Sequence, residues 1–180
     1  MKTKLLVAAV ALLSSNAVFA ANAGDVYAGA SYGQHRVGVS IASLDVGVLT
    51  GYAGYQINNN IAFEGRVGTG IADEDFSDDG DKVSFGIDYT AQALAKASYD
   101  FNDVVSAYAI AGFAKTKYSA ESVGTATKSQ SGGTYGVGLQ MAVSSNSSLQ
   151  VEWQKLPKLK FDDEFSASAS TISVGYTYRF

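Results

Sequence analysis

From Val83 to Phe101, apolar or aromatic residues take every second position: Val83, Phe85, Ile87, Tyr89, Ala91, Ala93, Ala95, Ala97, Tyr99 and Phe101. Between them stand Ser84, Gly86, Asp88, Thr90, Gln92, Leu94, Lys96, Ser98 and Asp100, with Leu94 the one apolar exception. A helix would scatter these two sets around its circumference, whereas extended backbone puts each set on its own face. The run is also long. A soluble strand usually has about five or six residues, while a tilted strand crossing a bilayer needs about nine to eleven. Length and alternation together set the apolar face against hydrocarbon rather than a packed core.

The same parity recurs along the chain. Ile61, Phe63 and Val67 alternate with Ala62, Glu64 and Arg66. Tyr135, Val137, Leu139 and Met141 alternate with Gly136, Gly138, Gln140 and Ala142. Leu149, Val151 and Trp153 alternate with Gln150, Glu152 and Gln154, and Ile172, Val174, Tyr176, Tyr178 and Phe180 with Ser173, Gly175, Thr177 and Arg179. Further strands are expected near 26–34, 46–57 and 104–115, where glycine and alanine leave the facing open. The composition agrees with sheet: 19 Gly, 11 Tyr and 9 Phe stand beside a single Pro.

Asn58–Asn60, Asn102-Asp103 and Ser144–Ser148 read as short polar turns, and 35–45, 72–82, 116–130 and 155–168 as longer polar loops. Eight strands joined alternately by long and short connections form an up-and-down antiparallel transmembrane β-barrel, with the short turns and both termini on the periplasmic side. Closure is required because an open edge would leave backbone polar groups unpaired in hydrocarbon. A soluble barrel of lipocalin type, with its apolar face turned inward around a ligand, is the competing all-β arrangement.

Residues 1–20 read as a signal peptide. Lys2 and Lys4 precede the apolar run Leu5–Leu13, and Val18-Phe19-Ala20 offers a cleavage site, leaving 21–180 as the barrel domain. Nine apolar residues rise only about 14 Å as a helix, about half a bilayer core. Without Lys2 and Lys4 the 13 basic residues fall to 11 against 17 acidic, a net charge of −6. No basic stripe is left to bind nucleic acid. The absence of cysteine excludes disulfides and thiolate metal sites.

The C-terminal SVGYTYRF resembles the last strand of outer-membrane barrels of the OmpA type, whose terminal aromatic strand is read by the barrel-assembly machinery. By that resemblance Ser173, Gly175, Tyr178 and Phe180 form the assembly signal. GYQINNNIAFEG, AQALAKASYDF and LQVEWQK are similar to further strands of the family, with inward Glu64 and Lys96. Gln140 and Gln150 stand where that family has an inward glutamate and arginine. The OmpX-like and OmpW-like barrels are equally close in architecture. The resemblance does not extend to the peptidoglycan-binding domain, so wall tethering is not implied, and it implies Gram-negative outer-membrane localisation.

Glu64, Arg66, Lys96 and Glu152 all fall on the inward parity. In a narrow barrel they must pair or hold water, because each buried ion costs several kcal/mol to desolvate. They read as a static plug; the competing reading is a gate in which Glu64 exchanges Lys96 for Arg66. Lys155, Lys158 and Lys160, beyond the last periodic strand but one, are positioned to contact lipopolysaccharide phosphates. The segment 73–81 carries six carboxylates in nine positions, but Gly86 stands where a calcium loop needs its bidentate glutamate, so no metal site is assigned. His35 with Ser77 would be the pair for an esterase, but no spacing fixes their geometry and the interior reads as charged and polar, so no catalytic residue and no cofactor is assigned. The expected function is structural or surface-interactive: envelope integrity, lipopolysaccharide contact and adhesion. The alternative is a narrow pore or an OmpW-like conduit for small solutes.

Overall fold

The computed structural model describes residues 22–39, 42–72, 74–78, 81–121, 125–157, 159–162 and 165–180. Ten strands follow in chain order: β1 (Val26–Val39), β2 (Ala42–Asn58), β3 (Ile61–Ala72), β4 (Glu74–Asp78), β5 (Asp81–Asp100), β6 (Val105–Glu121), β7 (Thr125–Ala142), β8 (Ser147–Lys155), β9 (Leu159–Asp162) and β10 (Phe165–Arg179). Eight of them form an all-antiparallel circuit, β1-β2-β3-β5-β6-β7-β8-β10, closed by β10 pairing back onto β1 from Tyr27↔Arg179 to Gly38↔Ser168. The short β4 adds to β5 and the short β9 to β10.

Asn58 shapes the first tight turn: its side-chain oxygen accepts the backbone N–H groups of Asn60 (2.9 Å) and Ile61 (2.9 Å). Asn102 does the same for Val104 (2.9 Å) and Val105 (2.8 Å). These turns, the bend at 143–146 and both ends of the described chain share one end of the barrel. At the other end the strands run further than alternation predicts. The expected loops 35–45 and 116–130 are mostly paired strand, with β1–β2 register held to Val39↔Ala42 and β6–β7 register to Glu121↔Thr125. Beyond the bilayer no lipid demands an apolar face, so Ser, Thr and Gly continue the ladder without a hydrophobic signature. The segments expected as loops at 72–82 and 155–168 likewise hold β4 and β9.

The faces are inverted relative to a soluble barrel. Val67, Phe113, Val137, Leu139, Val151 and Val174 are exposed on the outside, whereas Glu64, Arg66, Lys96, Gln150 and Glu152 are buried inside. Aromatics band both ends of the outer wall. Tyr99 packs edge-on to Phe101 (5.6 Å) and Tyr178 to Phe180 (5.2 Å) at the end carrying the termini; Tyr135 meets Trp153 (6.3 Å) at the far end. Ten residues separate Tyr89 from Tyr99, about 33 Å along the strand and about 25 Å along the axis at a 40° tilt, the height of a bilayer's apolar band.

One facing differs from expectation. Alternation predicts Ile87 outward, but it is buried inside, because the β5–β6 register slips between Ile87 and Tyr89. That bulge inserts Asp88, so Asp88 and Tyr89 are both exposed while Ile87 and Thr90 on either side are buried. Leu94, the one break in the pattern, keeps its inward position and packs with Tyr108 and Ile110.

The lumen is filled by tyrosine rings laid over inward glycines. Tyr27 covers Gly54 and Tyr108 covers Gly138, so closely that a Cβ at either glycine would overlap the ring. Gly138→Val should therefore expel Tyr108 and lower stability by about 2–3 kcal/mol, the usual cost of overpacking. Urea titration of the refolded barrel in lipid vesicles measures it; an unchanged midpoint would show that Tyr108 has another place to go.

Candidate functional site: a charged cluster across the lumen

β3 carries Glu64 and Arg66 two residues apart, and two-residue periodicity turns both inward. Arg66 Nε donates to Glu64 Oε1 at 2.5 Å. Its Nη1 and Nη2 reach across the barrel to Glu152 Oε1 (2.5 Å) and Oε2 (2.8 Å) on β8. β3 and β8 lie four strands apart in an eight-stranded ring, so this bidentate pair spans the diameter. Tyr27 Oη on β1 donates to Glu64 Oε2 (2.8 Å), and Tyr108 Oη on β6 donates to Glu152 Oε2 (3.0 Å). The guanidinium lies 5.7 Å from the centre of the Tyr52 ring, and Tyr52 is anchored by Thr177 at 2.9 Å. Six strands thus meet at one Arg–carboxylate cluster.

Lys96 stands beside it without touching Glu64. Its Nζ donates to Gln140 Oε1 (3.0 Å) and sits 4.1 Å from the centre of the Tyr108 ring. Gln140 in turn donates to Ser148 Oγ (2.7 Å). Gln140, one of the two departures from the OmpA pattern, thus acts as Lys96's direct acceptor. The other, Gln150, is buried with no hydrogen-bond partner for Oε1 among the described residues.

The lumen is filled on the far side of the cluster as well. Toward the far end Gln154 Nε2 donates to Gln92 Oε1 and Thr134 Oγ1, both at 2.8 Å. Beyond that layer Val46, Val48, Ile87, Leu156 and Ala169 form a buried apolar cap. Sequence reading expected a charged and polar interior throughout and missed this cap; Val46 and Val48 lie where glycines hide the facing, and Ile87 is turned in by the bulge. Toward the termini, Tyr27, Lys96, Gln140 and Arg179 border a cavity of about 20 Å³, room for about one water.

The remaining candidates are dispersed. His35 is buried in the wall on β1, in register with Val46 and Thr171. Ser77 is in β4 opposite Lys82. The segment 73–81 is described at backbone level in Glu74–Asp78 and Asp81, and Asp73, Asp79 and Gly80 lie outside the described residues. Ser173 and Gly175 sit on the inward parity of β10, while Tyr178 and Phe180 face outward and are exposed. Lys155, half-buried, ends β8 at the first outward position beyond Trp153. Lys158 lies outside the described residues, and Lys160 pairs with Ser166 through β9. Sequence reading missed Lys115, exposed at the first outward position beyond Phe113 on β6. The signal is the step from Phe113 to Lys115, at the edge of a segment whose glycine and alanine content hides the facing.

A closed antiparallel ring with an apolar exterior, aromatic bands and a polar filled interior defines a small transmembrane β-barrel. The chain belongs to the outer membrane protein beta-barrel domain family, whose model matches residues 5–180. Membership places it in the Gram-negative outer membrane. No curated protein matches its sequence. Among solved structures it is similar to Ail, the attachment invasion locus protein of Yersinia pestis, in complex with the heparin analogue sucrose octasulfate (22% identity, TM-score 0.64, covering 88% of this chain and 99% of that one). It is also similar to Neisserial surface protein A (18%, TM-score 0.68, 86% and 97%) and to OprG from Pseudomonas aeruginosa (10%, TM-score 0.59, 91% and 99%). These likenesses show the shared fold.

Proposed function

We propose that this barrel is a structural and surface-interaction protein of the outer membrane whose outer rim contacts lipopolysaccharide phosphates. Residues 1–20 direct its export, Ser173, Gly175, Tyr178 and Phe180 serve as its signal to the assembly machinery, and both termini sit in the periplasm. One observation carries the reading: lysines take the first outward position beyond the far aromatic band, Lys115 after Phe113 and Lys155 after Trp153. One outward step is about 7 Å along the strand and about 5 Å along the axis, which moves from acyl chain to headgroup. Arg36, exposed on β1, continues this rim.

A filled lumen supports a plug over a pore or a gate: a solute would have to displace the apolar cap, the Gln–Thr layer and the Arg66 cluster in turn. Both carboxylate oxygens of Glu64 are already engaged, one by Arg66 and the other by Tyr27. The likeness to Ail, seen with a sulfated sugar, supports adhesion through the protruding strands as part of the same role.

The test is stability in vesicles with and without lipopolysaccharide. Each lysine near an anionic surface contributes about 1 kcal/mol, so Lys115→Gln with Lys155→Gln should remove about 2 kcal/mol of the lipopolysaccharide-dependent stabilisation at low salt. Equal stabilisation of the variant and the parent would overturn the rim assignment.

A further inference from the structure

His35 is the one histidine in the chain, and neither the charged cluster nor the basic rim uses it. It is 4% exposed, on the inner face of β1. Its Nδ1 has no hydrogen-bond partner among the described residues. Directly across the β1–β10 pairing stands Thr171, also buried, whose Oγ1 likewise has none. Buried polar atoms are nearly always satisfied, so two orphans in register mark a weak layer in the wall. Across the β1–β2 pairing His35 meets Val46, and two residues back Gly33 meets Val48. Both valines belong to the apolar cap, and Ala169, another member, pairs with β1 at Val37. The imidazole is therefore set into the edge of the layer that closes the far end of the lumen.

No charged group of the described residues faces it there. On its own strand Arg36 is exposed on the outward face, and on β2 Asp45 is in register with Arg36. On β8 it is Gln154 that pairs with Thr171, while Lys155 pairs one step along with Ser170. On β5 Asp88 is turned out and bridged to Lys117 of β6. Arg66 and Glu152 lie below the Gln154 layer and are bound to each other. This place accommodates a neutral ring. A proton on His35 would create a cation with donors at both nitrogens. Thr171 Oγ1 offers one acceptor, but no carboxylate answers the charge. An unpaired charge in an apolar layer is relieved only when water reaches it.

We propose that the apolar cap is an acid-sensitive latch: neutral His35 keeps it shut, and protonation of His35 opens the far end of the lumen to water. The opening is local. Beneath it the Arg66 cluster holds its own carboxylates in place, so acid makes a cup at the far end and not a pore through the barrel.

The test is backbone hydrogen exchange of the full barrel in lipid nanodiscs at about pH 7.5 and about pH 5, corrected for the intrinsic pH dependence of exchange. In the parent, exchange at His35, Val46 and Thr171 should rise about tenfold at the lower pH, with no change at Arg66 and Glu152. The single imidazole signal should titrate over the same range. His35→Gln keeps a polar group and His35→Phe an apolar ring, and neither takes a proton, so both should show no rise; heat-dependent gel migration verifies that they fold. A rise as large in either variant would overturn the latch. So would a parent whose exchange at these amides stays constant, whether or not its imidazole titrates. A rise shared equally by Arg66 and Glu152 would mean that the whole barrel loosens, and would overturn it as well.

Discussion

Arg66→Met should destabilise the barrel by about 3–5 kcal/mol, because it leaves two buried carboxylates facing each other with no cation between them. Arg66 donates three hydrogen bonds, one to Glu64 and two to Glu152, at 2.5–2.8 Å, and both acids are almost wholly shielded from solvent. Lys96 does not replace it, since its ammonium is committed to Gln140 and the face of Tyr108. Charge alone is not what holds the barrel, however. Changing Glu64 and Glu152 to Gln together with Arg66→Met removes the desolvation cost along with the attraction, so the triple variant should recover most of the loss. Urea-driven unfolding in vesicles, followed by Trp153 fluorescence and gel migration, separates the two. A single variant as stable as the parent would mean that the cluster is hydrated and the lumen more open than its packing indicates.

That cluster is partly legible in the sequence, and the reason is parity. Glu64, Arg66, Lys96 and Glu152 each stand between residues that must face lipid, so each is forced inward whatever its partner. Parity does not give height along the axis or the offset between strands, so it could not say that Arg66 would meet Glu152 across the diameter while Lys96 turned to Gln140. The tyrosine donors were invisible for a related reason. Tyr27, Tyr52 and Tyr108 look like outward girdle residues by type, and only the glycines opposite them make room for inward rings. Parity also fails wherever a residue is inserted: Asp88 sends Ile87 inside, and with Val46, Val48, Leu156 and Ala169 it makes an apolar cap where charge and polarity were expected. The strand lengths at the far end were misread because the alternation that identifies a strand is imposed by the bilayer and ends with it, while backbone pairing continues.

The largest contrast between a membrane barrel and a soluble one lies on the outward face, and a single strand suffices to measure it. Val174 faces outward near the middle of β10, with Tyr178 and Phe180 toward one end and half-buried Ser170 at the other. In a bilayer, Val174→Lys puts an ammonium in hydrocarbon at mid-depth and should cost about 2–4 kcal/mol, whereas Ser170→Lys, on the same face near the interface, should cost about 0–1 kcal/mol. In water neither exterior charge would carry such a penalty, since an exposed lysine on a soluble barrel is solvated. The expected result is therefore a depth-dependent difference in the free energy of folding into vesicles. Nearly equal values at the two positions would mean that β10 does not cross the bilayer where its aromatic bands place it. The cost at Val174 also follows from the fold: the side chain leaves the closed wall on its outer face, so a lysine there is cut off from the polar lumen by the strands themselves and can escape only by snorkelling toward a band several residues away.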